Sequence, residues 1–145
     1  MAGMMLAVLL CTYAHAQKRI VAYVPNWVNL NSFSETIDYA KLTHINIAFE
    51  NPTNAEGDLS FNTKNPVLIA KAQTNGVKVL ISIGGGSASG NKTLLNRYFN
   101  LLNETNRAGF ATKLADYVSR HGFHGLDVDI EGPSINHDYG AFIQE

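Results

Sequence analysis

The segment GLDVDIEGP, residues 125–133, places three carboxylates at alternate positions of an otherwise apolar run. Alternate side chains of a β-strand point to opposite faces, so Asp127, Asp129 and Glu131 are predicted to share one face of a strand. The apolar residues between them would share the other face. An exposed edge strand could carry such a row as a solvated acidic face, so the neighbouring segments decide between the two interpretations.

Four segments rich in Val, Ile and Leu are predicted to form strands, namely residues 19–24, 44–49, 77–83 and 125–131. Helical patterns lie between them. One covers residues 67–75, opens at Asn65-Pro66 as its cap and first position, and stops at Gly76. The other covers residues 105–121 and stops at Gly122. Strands that alternate with helices indicate an α/β fold with a parallel sheet.

The predicted strands are apolar almost throughout, as expected when protein covers both faces of a parallel sheet. The acidic row is therefore predicted to be buried, on a fourth strand with a partner on each side. A sequence that buries several carboxylates generally does so for function. Ligands of parallel α/β folds bind beyond the carboxyl ends of the strands, so the row should face a pocket. Mutual repulsion should raise the pKa of at least one acid, which could then donate a proton near neutral pH.

The composition is that of a soluble globular protein and excludes the disordered and membrane classes. The 145 residues are 46% hydrophobic and 16% charged, and the formal net charge is −1. Lys and Arg are scattered singly, without the basic patch that a nucleic-acid partner requires. The five histidines have no ligand spacing and no second acidic strand exists, so neither a metal nor another cofactor is predicted.

The N-terminus has the pattern of a cleaved signal peptide over residues 1–16. An apolar run at residues 4–10 precedes Ala14-His15-Ala16, so cleavage is expected before Gln17 and the protein is expected to be secreted or periplasmic. The basic residues of a typical leader are missing, and a misassigned start ahead of a buried segment is the alternative. A lipid anchor on Cys11 is disfavoured because Leu10 stands where lipoprotein signals have a small residue. Cleavage would leave no cysteine and no disulfide framework.

Four motifs in order resemble the family 18 glycoside hydrolases, the chitinase family. HGLDVDIE at residues 124–131 is similar to the family's D-G-x-D-x-D-x-E, and SIGG at residues 82–85 is similar to its S-x-G-G. AYVPNW at residues 22–27 and THINIAF at residues 43–49 resemble its first two strands. The resemblance implies a TIM (β/α)8 barrel, of which residues 17–145 would supply about the first four β/α units, the N-terminal half.

The resemblance also implies a reaction and a role for each acid. Family members cleave β-1,4 bonds next to N-acetylglucosamine in chitin or related glycans, and the substrate's own acetamide acts as the nucleophile. Glu131 would protonate the departing glycosidic oxygen. Asp129 would orient the acetamide and stabilise the positive oxazolinium. Asp127 would hold Asp129 through a shared proton.

Six further residues are expected to bind the glycan: Tyr23, Trp27, Phe49, Ser82, Gly84 and Gly85. The aromatic rings resemble the lining of sugar subsites, with core packing as the alternative for each. Ser82 would hydrogen-bond into the acidic row, with an ordinary satisfied strand serine as the alternative. The glycine pair would let the backbone approach the ligand closely, and a plain tight turn is its alternative.

Two positions depart from the family pattern. His124 replaces the first Asp of the fourth-strand motif, but strand parity places residue 124 on the face opposite the acids, so we expect a supporting role. Gly86 stands where many relatives have an aromatic sugar platform. Its small size predicts weaker or different binding beyond the cleavage point.

The length sets a further expectation. A TIM barrel typically needs about 250 residues, so the chain is expected to be a truncated product or partial gene, inactive by itself and prone to self-association through the open edges of strands one and four. A non-hydrolytic, lectin-like glycan-binding protein on the same barrel is the alternative function. The intact Glu131 favours the enzyme, because binding-only relatives resemble one another in lacking that acid.

Overall fold

Four parallel strands form one sheet in the computed structural model, which describes residues 18–145. They are β1 (Val21–Pro25), β2 (His44–Ala48), β3 (Lys78–Gly84) and β4 (Gly125–Asp129). Their order across the sheet follows the chain, β1-β2-β3-β4, and each neighbouring pair is parallel. The parallel α/β sheet is confirmed. The predicted leader and its cleavage site lie outside the described residues.

Helices and short turns connect the strands. The helices are α1 (Leu30–Phe33), α2 (Asn65–Thr74), α3 (Gly86–Gly90), α4 (Lys92–Leu102), α5 (Arg107–His121) and α6 (Tyr139–Phe142). Two 3₁₀ turns cover Tyr39–Lys41 and Gly132–Ser134. Within residues 18–145, no helix has the length and apolar character needed to cross a membrane.

The two faces of the sheet have different surroundings. Ser82 lies beside Ala48 on one neighbouring strand and beside Asp127 on the other, so these three residues share a face. The opposite face carries fully buried aliphatic side chains that pack with residues of α2 and α5: Ile45, Ile47, Val79 and Ile81. The helices therefore cover the aliphatic face, and the acidic row lies on the other one.

Helix α5 agrees with the sequence prediction and α2 differs at its first turn. Gly122 ends α5 in the left-handed conformation, at φ 74°, and its N–H donates to the carbonyl of Ser119. The N-cap position of α2 is Lys64 rather than the predicted Asn65. Asn65 does not cap the helix because its side chain donates to the Glu50 carboxylate, with an Nδ2–Oε1 distance of 2.8 Å.

Helix α4 is absent from the sequence-based prediction although its signals are present in the chain. Asn91 caps it, since its Oδ1 accepts from the N–H groups of Thr93 and Leu94 at 3.0 and 3.1 Å. Its buried residues recur at helical spacing, at Leu94, Tyr98, Leu101 and Leu102. The Gly- and Ser-rich residues 84–90 precede this pattern and favour a loop, which obscures the helix start.

The fourth strand is shorter and its acids are less buried than predicted, since Asp127 and Asp129 are half-buried and Glu131 is exposed, whereas the open edge expected for this strand is present. Strand β4 ends at Asp129 instead of Glu131, and within residues 18–145 it pairs only with β3. It ends there because Gly84, its last partner on β3, and the next residue, Gly85, both have positive φ and turn the chain away. One edge of β4 is therefore free in the described part of the chain.

The sheet is strongly curved. Strands β1 and β4 are separated by three strand spacings, which would be about 14 Å in a flat sheet. The hydroxyl of Tyr23 on β1 nevertheless donates to Oδ2 of Asp127 on β4 at 2.9 Å, so the side chains of the two outer strands meet across the face between them. The acid-bearing face is therefore concave, as the inner face of a barrel is.

Candidate active site

Asp127 is the acid that the protein itself holds in place. Its Oδ2 accepts hydrogen bonds from Ser82 Oγ at 2.7 Å and from Tyr23 Oη at 2.9 Å. The expected hydrogen bond from Ser82 into the acidic row is therefore present. Burial raises the pKa of Tyr23 above its usual value, and the hydrogen bond to Asp127 and the charges of both aspartates add to this, so Tyr23 remains a donor.

Asp129 lies at the end of β4, and its side chain accepts no hydrogen bond from residues 18–145. Its backbone is held, because its carbonyl accepts from the Gly85 N–H at 2.7 Å. Burial raises the pKa of Asp129, and the charges of Glu131 and Asp127 raise it further. One acid of the row thus has a raised pKa, as expected, but burial rather than repulsion between the acids is the larger cause, and Asp129 retains a proton more readily than an isolated aspartate.

Glu131 follows β4 in extended conformation, at φ −136° and ψ 161°. Its neighbour Ile130 is buried at 4% exposure and fixes the segment in the core, whereas Glu131 itself is exposed. Its backbone carbonyl accepts from the N–H and the hydroxyl of Ser134. The carboxylate of Glu131 has no hydrogen-bond partner among residues 18–145, so it is free to meet a ligand.

Gly84 and Gly85 are required by protein neighbours. Both have positive φ, 101° and 70°. A Cβ on Gly84 would lie 2.3 Å from the Asp129 carbonyl oxygen, and a Cβ on Gly85 would lie 2.6 Å from the Phe49 ring. The pair therefore does more than form a tight turn, because it lets β3 approach the backbone of Asp129 and lets Phe49 approach the site. A direct contact of either glycine with the glycan stays a prediction.

The three predicted aromatic residues differ in exposure. Trp27 is 74% exposed, so core packing does not explain it. Tyr23 is 54% exposed and reaches Asp127 through its hydroxyl. Phe49 is half-buried against Gly85 and follows a cis peptide bond with Ala48. The structure thus places Tyr23 against Asp127 and Phe49 against Gly85, and the stacking of all three rings on sugars stays a prediction.

A family model of the glycosyl hydrolases of family 18 matches residues 19–145. The chain belongs to glycosyl hydrolase family 18. It is 30% identical over 125 residues to chitinase Chi52 of Paenibacillus xylanexedens, a match that covers 79% of this chain and 22% of the relative. It is 31% identical over 117 residues to a chitinase-like effector of Moniliophthora perniciosa, with 77% and 26% covered.

The fold of a solved family 18 enzyme is similar as well. The crystal structure of chitinase ChiB from Flavobacterium johnsoniae superposes with a TM-score of 0.77 at 26% identity, over 87% of this chain and 40% of that one. The four strands therefore correspond to part of a TIM barrel, which confirms the predicted fold class. The chain spans about a quarter of the length of the curated relatives that it matches.

A buried carboxylate beside the family 18 motifs was not predicted from the sequence. Glu50 is 2% exposed. Its Oε1 accepts from the Asn26 amide at 3.0 Å, the Asn62 N–H at 2.7 Å and the Asn65 amide at 2.8 Å, and its Oε2 accepts from the Ser60 hydroxyl. Glu50 thereby ties the turn that carries Trp27 to the segment that leads into α2. The signal in the sequence for this role is a glutamate placed two residues after an apolar strand. Its hydrogen-bond donors are scattered along the chain, so the sequence does not show which residues surround it.

Asn51 is a second residue that sequence reasoning missed. Its amide donates to the Gly84 carbonyl at 3.1 Å, and its Oδ1 accepts from the Gly84 N–H at 2.8 Å. The fully buried Tyr98 of α4 donates its hydroxyl to the same Oδ1. Burial raises the pKa of Tyr98 far above its usual value, so its hydroxyl stays protonated. Through Gly84, this pair supports the backbone beside Asp129.

The two departures from the family pattern lie in different places. His124 precedes β4, at the end of the sheet opposite the acids, where its Nδ1 accepts from the Val79 N–H at 3.1 Å and its own N–H donates to the Val79 carbonyl at 2.7 Å. It supports the pairing of β4 with β3, as expected, but distance along the strand, rather than the face of the sheet, separates it from the acids, because it lines a cleft with Asn46 and Leu80 of the acid-bearing face. Gly86 is exposed at the start of α3, and a Cβ there would meet nothing within 4 Å. A larger side chain would fit at that position.

No three His, Cys, Asp or Glu side chains of residues 18–145 converge as the ligands of a metal ion do. The acidic row is instead surrounded by the Ser82 and Tyr23 hydroxyls and by the backbone of Gly85. The carboxylates of this site can bind and release protons. Asp127 is fixed by two hydrogen bonds, whereas the side chains of Asp129 and Glu131 have no partner among residues 18–145.

Proposed function

We propose that this chain carries the acid residues of an enzyme that hydrolyses β-1,4 bonds next to N-acetylglucosamine in chitin or a related glycan. The observation that carries the proposal is the unequal state of the three acids. Asp127 accepts two hydrogen bonds from protein hydroxyls, whereas the side chains of Asp129 and Glu131 have no partner among residues 18–145. Two unsatisfied carboxylates beside a fixed one are an arrangement suited to a ligand.

The reaction would proceed with help from the substrate. The carbonyl oxygen of the acetamide attacks the anomeric carbon while the bond from that carbon to the departing sugar oxygen breaks, and Glu131 gives its proton to that oxygen. Water then attacks the anomeric carbon of the oxazolinium, the bond from that carbon to the acetamide oxygen breaks and restores the acetamide, and Glu131 takes a proton from the water. Two displacements at the same carbon retain its configuration.

Asp129 would act on the acetamide during the first step. Its raised pKa favours a proton on Asp129 before the reaction, and the sharing of that proton with Asp127 is part of the proposal, because the two side chains form no hydrogen bond in the described chain. As positive charge develops on the oxazolinium, Asp129 orients the acetamide N–H and stabilises that charge. The hydrogen bonds from Ser82 and Tyr23 keep Asp127 in position throughout.

The exposed aromatic residues would bind the sugar rings. The 74% exposed Trp27 offers a flat apolar surface, Tyr23 contacts Asp127, and Phe49 packs against Gly85. Stacking on such rings favours the apolar faces of pyranose sugars. Gly86 provides no ring at the position where a platform is expected, so the glycan would be held less tightly there.

We further propose that the acids work within a complete barrel. The free edges of β1 and β4 and the open concave face leave the acids accessible to water in the described part of the chain. An open site weakens electrostatic interactions and excludes water poorly. The 145 residues alone should therefore be inactive as a glycosidase and should self-associate through their free strand edges. Export through the predicted leader is part of the same proposal.

A non-hydrolytic glycan-binding function is the second candidate, favoured by the similarity to a chitinase-like effector. In that case the exposed Trp27 and the concave face would serve binding alone. The presence of Glu131 favours hydrolysis over this candidate, because binding alone has no need of an unpaired, exposed carboxylate at the end of the acidic row.

The test is a barrel chimera, in which residues 18–145 replace the matching segment of the Flavobacterium johnsoniae chitinase. We expect it to release the fluorophore from a chitobiose-based substrate, and its Glu131→Gln variant to bind the glycan without turnover. Glu56→Gln is the matched control, since Glu56 is also exposed and lies away from the acidic row in the sequence. A folded chimera that binds chitooligosaccharide and is no faster than its Glu131→Gln variant would favour the binding-only function.

A further inference from the structure

Two asparagines flank helix α4 within the sequence pattern of N-linked glycosylation, which is Asn-x-Ser/Thr with any residue except Pro at x. They are Asn91, in Asn91-Lys92-Thr93, and Asn103, in Asn103-Glu104-Thr105. The other asparagines of the chain do not fit the pattern, and Asn51 fails it because Pro52 occupies the middle position. A glycan at either site must be compatible with the folded surface, and the structure permits that test.

Asn91 presents its amide nitrogen outward. The residue is exposed, and its Oδ1 is used to cap α4 through the N–H groups of Thr93 and Leu94. Its Nδ2 donates no hydrogen bond to residues 18–145. A sugar on Nδ2 would therefore leave the cap intact, because the cap uses only the oxygen.

Asn103 repeats this arrangement at the other end of α4. Its Oδ1 accepts from the N–H groups of Thr105 and Asn106, both at 3.0 Å. The residue is half-buried, and its Nδ2 donates no hydrogen bond to residues 18–145. The side-chain atoms of the described chain that are both enclosed and without a partner are Oδ1 of Asn46 and Oδ1 of Asn65, so Nδ2 of Asn103 is not enclosed. An amide nitrogen that is unpaired and not buried reaches solvent.

Several asparagines outside the pattern use their amide nitrogens within the protein. Asn26, Asn51 and Asn62 donate Nδ2 to backbone carbonyls at 2.7, 3.1 and 2.6 Å, and a sugar on any of these nitrogens would break a structural contact. Asn91 and Asn103 combine an inward oxygen with an outward nitrogen. The pattern in the sequence and the orientation of the side chain thus agree at both sites.

We propose that Asn91 and Asn103 are acceptors of N-linked glycans in a compartment that contains an oligosaccharyltransferase and its donor, a lipid-pyrophosphate oligosaccharide. Nδ2 forms a bond to the first sugar's anomeric carbon, the bond from that carbon to the pyrophosphate oxygen breaks, and Nδ2 loses a proton to a base of the transferase. The lipid pyrophosphate is the leaving group. The inference goes beyond the proposed hydrolysis and does not depend on it.

The experiment translates the full chain, behind a strong cleavable leader, in an extract that contains microsomes. A C-terminal tag with an efficiently used acceptor site reports that the chain has entered the lumen. We expect the chain to gain two glycans beyond that of the tag, and an endoglycosidase to remove all of them. Thr93→Ala and Thr105→Ala should each lose one glycan although both keep the asparagine, and Thr93→Ser should keep it.

Asn96→Gln and Asn100→Gln are the matched controls, since both asparagines lie on α4 outside the pattern, and they should leave the glycan number unchanged. The double Thr93→Ala, Thr105→Ala variant lacks both acceptor patterns and gives the mass of a chain with a glycan on the tag alone. A parent chain that has a glycosylated tag and the same mass as this variant would overturn the proposal. If the parent chain gains only one glycan beyond that of the tag, the proposal fails for one site. The unused site is the one whose Thr→Ala substitution leaves the number of glycans unchanged. Because transfer occurs during translocation, reduced stability of a variant does not obscure the result.

Discussion

Carboxylates lie at the ends of two strands of the same sheet, β2 and β4, which are separated by β3, and their surroundings differ. Glu50, after β2, is buried and accepts four hydrogen bonds from Asn26, Ser60, Asn62 and Asn65. Asp129 and Glu131, at the end of β4, have side chains without a partner among residues 18–145. The number of protein donors around each carboxylate therefore separates a residue that holds the fold from residues that are available to a substrate.

The difference has an energetic meaning. A buried carboxylate with four donors is retained because its removal leaves those donors unsatisfied in the interior. An exposed or half-buried carboxylate without donors adds little to stability and, beside other acids, opposes folding. We therefore expect substitutions in the two groups to have separable effects, on the free energy of unfolding for Glu50 and on turnover for the acidic row.

The largest effect is expected from Glu131→Gln in the barrel chimera. Loss of the proton donor should lower kcat by roughly 100- to 10,000-fold, with glycan affinity and the unfolding midpoint unchanged because Glu131 is exposed and unpaired. Hydrolysis of a fluorogenic chitobioside and calorimetric binding of chitooligosaccharide measure the two quantities. A kcat within tenfold of the parent, a barrier change below about 1.4 kcal/mol, would remove Glu131 from the role of proton donor.

The next largest effect is expected from Glu50→Gln, which should lower the free energy of unfolding of the chain by about 3 kcal/mol. The glutamine amide would face donors that now meet a carboxylate, so the turn beside Trp27 would lose its anchor. Denaturant unfolding measures the change, with Glu56→Gln as the exposed control. An unchanged midpoint would contradict the structural role of Glu50.

His124→Asp tests a support position away from both groups of carboxylates. An aspartate there would lie beside Arg19, His44 and Lys78 around one cleft, and should raise the free energy of unfolding by up to about 1 kcal/mol, less in high salt. Turnover of the chimera should not change, because His124 contacts Val79 at the other end of the strand. A large gain in turnover at equal stability would mean that the histidine had disabled the site.

The smallest effect is expected from Asp129→Asn on stability. The pKa of Asp129 is raised above the unfolded value of 3.8, so its ionisation opposes folding at neutral pH, and this penalty disappears as the pH falls through the raised pKa towards 3.8. Asp129→Asn should therefore raise the Tm slightly at pH 7 and have no such effect below pH 3.8. Thermal unfolding across this range measures it, and a lower Tm at pH 7 would contradict the assigned pKa direction.

Much of the fold could be predicted from local patterns. The strands are apolar runs bounded by polar residues, Gly122 marks the end of α5 by its left-handed conformation, and the alternation at residues 127–131 gives the acids a common face. Ser82 could be placed beside Asp127 because both belong to motifs of adjacent strands. These features depend on residues that are close in the sequence or fixed by strand register.

The features that escaped prediction depend on contacts between distant residues. The four donors to Glu50 come from positions 26, 60, 62 and 65, and no period connects them. The need for glycine at 84 and 85 follows from Asp129 and Phe49, which only the folded chain brings near.

The most direct measurement of the central claim compares two substrates of the barrel chimera, a chitooligosaccharide and its fully deacetylated counterpart of the same length. If Asp129 acts through the acetamide while Asp127 is held by Ser82 and Tyr23, the acetylated substrate should be cleaved roughly 100-fold faster or more. The ratio is obtained from the cleavage rates of the two substrates, each measured at a saturating concentration. The rate of the Glu131→Gln variant is subtracted from each as the background. Equal rates for the two substrates would contradict the account and indicate a nucleophile supplied by the enzyme.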